Sequence, residues 1–107
     1  MSDFYQVQVT FPNREVAERV SGELVGKSLS ACSQIAGPVK SIYRWKGAVE
    51  EAEEYLVMIK TRKELFERVK ELILKMHPYE VPEVIAVTIA DGSASYLKWL
   101  EDSTSLE

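Results

Sequence analysis

Leu29-Ser30-Ala31-Cys32-Ser33-Gln34-Ile35-Ala36-Gly37-Pro38-Val39-Lys40-Ser41-Ile42-Tyr43-Arg44-Trp45-Lys46-Gly47 begins a stretch that runs on to Ile59-Lys60 and decides the fold. Leu29, Ala31, Ser33 and Ile35 alternate with Ser30, Cys32 and Gln34, as a strand with one buried face requires. Gly37-Pro38 interrupts the alternation. Proline has no N–H to give a central strand, so a bulge, a bend or an edge is expected there. Val39, Ser41, Tyr43 and Trp45 resume on one face with Ile42 opposite, and Lys46-Gly47 offers a turn in which glycine is free to take positive φ. The return arm passes through Glu50, Glu51, Glu53 and Glu54 into Tyr55-Leu56-Val57-Met58-Ile59. The whole is a long β-hairpin, and arms of this length project past a small domain and need a partner.

The flanks complete the pattern. Tyr5, Val7, Val9 and Phe11 take one face of a first strand and Gln6, Gln8 and Thr10 the other. Asn13 is placed to cap a helix bearing Val16, Ala17, Val20 and Leu24, with Gly26 as its C-terminal cap. Beyond the hairpin, Thr61 and Glu64 have capping-box spacing, and Leu65, Val69, Leu72, Ile73 and Met76 form one helical stripe that must stop near His77, before Pro78. Val84 to Ala90 is expected as a buried strand, and Ser93 or Ser95 as the start of a short helix carrying Tyr96, Leu97, Trp99 and Leu100. The order β-α-β-β-α-β with an extra C-terminal helix predicts an α+β fold, the ferredoxin-like split βαβ, with an antiparallel sheet and two helices on one face. A single domain over residues 1–107 is expected, with an ordered core of about 4–101 and a loose polar tail at 102–107. The second sheet face, assigned Ile42, Leu56 and Met58, is best covered by neighbouring subunits of a closed oligomer.

Composition narrows the function. The 107 residues are 46% apolar and 28% charged, which excludes a disordered chain. A net charge of −4 without a basic run argues against nucleic acid as a partner. The longest uncharged apolar run, Val84 to Ala90, is far short of a membrane span, and Met1 to Gln6 lacks a secretory signal pattern. One cysteine, Cys32, fits a reducing cytoplasm, the expected compartment.

Catalytic equipment is sparse. His77 is the only histidine; it can bind a metal or carry a proton, or simply pack at a helix end. Cys32 can be a thiolate ligand or a small buried hydrophobe. A metal site usually needs three or four ligands, a number that one chain reaches only with help from symmetry-related copies. The glutamates of the return arm are assigned to a solvated hairpin tip. Tyr43, Trp45, Lys60, Tyr79 and Glu80 fall on the hairpin and the helix-to-strand connection, where they suit either a small-molecule pocket or interface packing. With no phosphate-binding glycine loop and no activated nucleophile, an enzyme is not expected, and no organic cofactor is indicated.

Several segments together resemble the CutA divalent-cation tolerance family: Leu29-Ser30-Ala31-Cys32, Tyr43-Arg44-Trp45-Lys46-Gly47, Glu54 followed by Ile59-Lys60-Thr61, His77-Pro78-Tyr79-Glu80-Val81-Pro82-Glu83 and Tyr96-Leu97-Lys98-Trp99-Leu100. The likeness runs from about Val7 to Leu100. It implies a ferredoxin-like subunit in a homotrimer of PII-like architecture and a role in tolerance to copper or another divalent cation. His77 and Cys32 hold the positions of the family's motif histidine and strand cysteine, whereas Val9 and Met76 stand where copper-binding members can have further ligands. The alternative is a PII-like sensor that binds a small metabolite between subunits and acts through a protein partner. Tyr43, Trp45, Lys60, Tyr79 and Glu80 would line its pocket, and Lys60 would favour an anion.

Overall fold

A computed structural model of the chain describes residues 3–106. Its elements are β1 (Phe4–Phe11), α1 (Arg14–Gly26), β2 (Cys32–Trp45), β3 (Ala48–Arg62), α2 (Phe66–Met76), β4 (Val84–Thr88) and α3 (Ala94–Asp102), with a 3₁₀ turn at Lys63–Leu65 leading into α2. The four strands form one antiparallel sheet in the order β2-β3-β1-β4, the ferredoxin-like arrangement.

Strand periodicity sorts the sheet into two faces. Val7 pairs with Ile59 and Val9 with Val57, and all four are fully buried beneath Ala17, Val20, Leu24, Val69 and Ile73 of α1 and α2. Each such aliphatic side chain contributes about 1.5–3 kcal/mol, so this layer dominates stability. Asn13 caps α1 as expected, its side chain accepting from the Val16 N–H at 2.9 Å. The opposite face carries Gln8, Met58 and Gln34 in register, with Leu56 beside them and Ile85 on β4. α3 covers only one end of that face, packing Leu97 and Leu100 on Phe4, with Ala31 and Ile89 at the margin. No described helix is long and apolar enough to cross a membrane.

The hairpin has the expected length and turn. β1 stops at Phe11, opposite Tyr55, so everything between Val39 and Glu54 extends beyond it, and the molecule measures 45 × 25 × 21 Å. Lys46 and Gly47, with φ of 50° and 82°, make the two-residue turn. The register shifts between Ala36 and Val39, where Gly37 and Pro38 of β2 oppose the single residue Tyr55 of β3, and Gly37-Pro38 is a cis peptide.

Several local expectations are corrected. Gly26 ends α1 in helical geometry; Lys27 is the cap, and Ser28 takes the left-handed conformation at φ 58°. Thr61 does not cap α2, because β3 continues through Arg62; the Thr61 hydroxyl instead donates to the Leu29 carbonyl at 2.6 Å. β4 is a sheet edge rather than a buried strand. Ile85 and Val87 are 48% and 47% exposed, because they point to the face that α1 and α2 do not cover. Ile42 pairs with Glu51 and so has the opposite parity to Leu56 and Met58. In the tail, Thr104 is buried and Ser105 donates its N–H to the Ser28 carbonyl at 2.9 Å, so the polar stretch is tied down at these two residues.

Candidate functional site

Pro78 stops α2, and the connection that follows folds back against the hairpin. His77 leaves the helix in extended geometry while its N–H still bonds the Ile73 carbonyl. Its ring stacks on Phe11 with centroids 4.6 Å apart, and the residue is only 9% exposed. Both ring nitrogens have protein partners. The Tyr79 N–H points at Nδ1 at 3.2 Å, so Nδ1 is an acceptor and Nε2 must carry the proton, which it donates to the Thr10 carbonyl at 2.8 Å. Burial lowers the pKa of His77 from its usual value, outweighing the Thr10 hydrogen bond and the Glu54 charge, which raise it. The imidazole is therefore neutral at pH 7.

Tyr79 turns its hydroxyl to Glu54, donating to Oε2 at 2.8 Å. Its phenol is held well above the usual range, first by burial, then by the hydrogen bond to Glu54 and its charge, and last by the neighbouring Tyr43. Glu54 itself is 6% exposed, far from the solvated tip to which the sequence assigned it. Alternation already separates it from its neighbours: Tyr55 faces the helices with Phe11, so Glu54 shares the other face with Leu56. No ion pair to Glu54 is found among the described residues.

These groups meet in an open cleft of about 830 Å³ between the hairpin and the connection after α2. Tyr43, Trp45, Tyr79 and Glu80 all line it, together with Glu54 and Arg44. Lys60 is not among its residues. Its Nζ donates to Gln34 Oε1 on the sheet, where Lys60 pairs with both Gln6 and Cys32. Four of the five pocket residues assigned from sequence are thus brought together, and the fifth lies elsewhere.

Cys32 and His77 are also apart. Cys32 shares a row with Lys60 and Gln6, whereas His77 is bonded to Thr10, four residues along β1 and roughly 13 Å away at strand rise. Cys32 is a free, half-buried thiol. Among the described residues no group of three or more His, Cys, Asp or Glu side chains is placed to hold a metal ion. The described residues of this chain therefore do not make a closed metal site, and Cys32 and His77, this far apart, do not form a nucleophile–base pair.

Comparison with known proteins agrees with this architecture. The family model described as CutA1 divalent ion tolerance protein matches residues 5–103. The divalent-cation tolerance protein CutA of Thermus thermophilus is 43% identical over 98 residues, covering 92% of this chain and 95% of that protein. Protein CutA, chloroplastic, of Arabidopsis thaliana is 44% identical over 92% of this chain, which spans 54% of that longer protein. Among solved structures, CutA1 from Oryza sativa superimposes with a TM-score of 0.95 at 39% identity, covering 99% of this chain and 97% of that one. The Thermus thermophilus structure gives 0.93 at 41% identity, covering 95% and 99%. By sequence and by fold alike, this chain belongs to the CutA1 divalent ion tolerance family.

Proposed function

We propose that this protein acts in divalent-cation tolerance as a homotrimer in the cytoplasm, without catalysis, and that it contacts copper or another divalent cation weakly. Family membership supports the tolerance role. The single observation that carries the assembly is the face opposite α1 and α2, where Ile85 and Val87 lie exposed beside Leu56 and Met58 on a sheet that ends in the unpaired edge β4. A neighbouring copy covers such a face and edge at little cost, since the hairpin arms already extend beyond β1. The free thiol of Cys32 suits a reducing compartment.

For the metal, the neutral imidazole of His77 is the ligating form, and its Nδ1 is held by one long hydrogen bond of 3.2 Å. Exchanging that bond for a metal ion is feasible but brings a single ligand, and Cys32 brings another elsewhere. Modest affinity follows. Light scattering across micromolar dilution should find one trimeric species, and a monomer would overturn the assembly. Calorimetric titration of metal-free protein with Cu(II), against Zn(II) and Mg(II), should show weak binding that His77→Ala removes. Binding unchanged in His77→Ala would remove His77 from the site, and no binding to any of the three would overturn direct metal contact.

A further inference from the structure

The ring of His77 is fixed on three sides by contacts made within this one chain. Phe11 stacks on it with centroids 4.6 Å apart, and the Tyr79 ring leans on it at 4.8 Å with a tilt of 46°. Nε2 gives its proton to the Thr10 carbonyl at 2.8 Å. Thr10 and Phe11 are themselves held by the pairing of β1 with β3, opposite Leu56 and Tyr55. Turning the imidazole would forfeit both the stack and the Thr10 bond. With the proton on Nε2, the only in-plane lone pair of the ring is on Nδ1.

That lone pair is already in use, accepting the main-chain N–H of Tyr79 at 3.2 Å. It serves one partner, the Tyr79 N–H or a metal ion, and not both. Since the ring is held, the group that gives way is the Tyr79 main chain. Tyr79 is tied at its other end as well, because its hydroxyl donates at 2.8 Å to Oε2 of the buried Glu54 on β3. Pro78, with its fixed φ, leaves little slack between the imidazole and Tyr79. Displacing the N–H from Nδ1 therefore pulls against a charge-assisted hydrogen bond at the far end of the same residue.

We propose that metal binding at His77 and the Tyr79–Glu54 hydrogen bond oppose each other, with Tyr79 as a latch that closes Nδ1 and Glu54 as the group that holds the latch shut. The inference rests on the metal reading of His77 and adds what regulates it. Such coupling is reciprocal: the factor by which an open latch tightens the metal is the factor by which the metal opens the latch. Glu54 and the Tyr79 hydroxyl, neither of them a ligand here, thus add to the weakness that a single imidazole already brings.

Tyr79→Phe keeps the ring and the main-chain N–H and removes only the hydroxyl. Calorimetric titration of metal-free Tyr79→Phe with Cu(II) should give about tenfold tighter binding than the parent, lost again when His77→Ala is added. A readout that needs no variant guards against a Tyr79→Phe that fails to fold. In the parent at saturating Cu(II), amide exchange read by mass spectrometry should quicken about tenfold in the peptide covering residues 79–83, and stay unchanged in β1. Binding that depends on His77 but is equal or weaker in Tyr79→Phe would overturn the latch and leave the metal reading standing. Unchanged exchange over residues 79–83 with Cu(II) bound would do the same. Absence of any His77-dependent binding would overturn the metal reading and the latch together.

Discussion

Arg62 and Thr104 are joined twice: the guanidinium donates from Nε to the threonine hydroxyl at 2.8 Å and from Nη2 to its carbonyl at 2.9 Å. The same Nη2 reaches the Glu101 carbonyl at 2.7 Å, and the Thr104 hydroxyl lies 3.1 Å from the Leu100 carbonyl. One side chain of β3 thus closes the end of α3, where the last carbonyls of a helix have no partner of their own. Arg62→Ala should cost about 2–3 kcal/mol, read as a lower urea midpoint with an unchanged slope. Arg62→Lys should recover only part of the loss, because an ammonium cannot reproduce the planar fork.

The lowered pKa of His77 has a definite sign. Below the ordinary value of 6.5 the unfolded chain takes up a proton that the folded imidazole resists, so folding is penalised as the pH falls. Only one histidine is present, and ordinary carboxylates titrate mainly below about pH 5. Stability should therefore decline between about pH 6.5 and 5 through His77 alone. Thermal melts across that interval should slope in the parent protein and be nearly flat in His77→Gln.

At Gly37 an added methyl group would lie 2.7 Å from Tyr55 Cδ2 and 3.0 Å from the Glu54 carbonyl oxygen. The backbone there does not yield easily, because the Glu54 carbonyl belongs to β3. Gly37→Ala should cost about 2 kcal/mol and disturb the hairpin beyond it. Amide exchange should show the loss of protection concentrated between Val39 and Glu54, with the β1 ladder unaffected.

Tyr79→Phe removes the only hydrogen-bond donor seen on the buried Glu54 carboxylate among the described residues. A loss of about 1–3 kcal/mol is expected. In Glu54→Gln the same tyrosine change should matter less, and a double-mutant cycle in chemical denaturation measures the difference.

Much of the fold was legible because hydrophobic period and turn chemistry agree. Asn13 before a helical stripe, Lys46-Gly47 between two alternating runs and Gly37-Pro38 inside one each predicted the element found there. The errors share a cause, which is that local pattern does not report what lies above a surface. Val84 to Thr88 has the apolar run of a buried strand, yet its position at the sheet edge exposes it. Thr61 has capping-box spacing, but pairing of β3 with β1 carries the strand through it. Within the site, Tyr43, Trp45, Tyr79 and Glu80 converge as expected. The burial of Glu54 was hidden by its acidic neighbours, and Lys60 lies apart from the other four within the chain because nearness along a strand does not settle which end of the sheet a side chain serves.

The extra residue at Gly37-Pro38 acts as a half-period phase shift. Before it, the odd-numbered residues Ser33 and Ile35 pair with Ile59 and Val57 on the helix side. After it, the odd-numbered Val39, Ser41 and Tyr43 pair with Glu54, Ala52 and Glu50, so they share the side of Glu54. Tyr43 and Trp45 face the cleft because of a residue count, whatever the identities in between. Were the same residues paired without the bulge, Pro38 would oppose Glu54, and Lys40, Ile42 and Arg44 would take its side while the aromatic side turned outward.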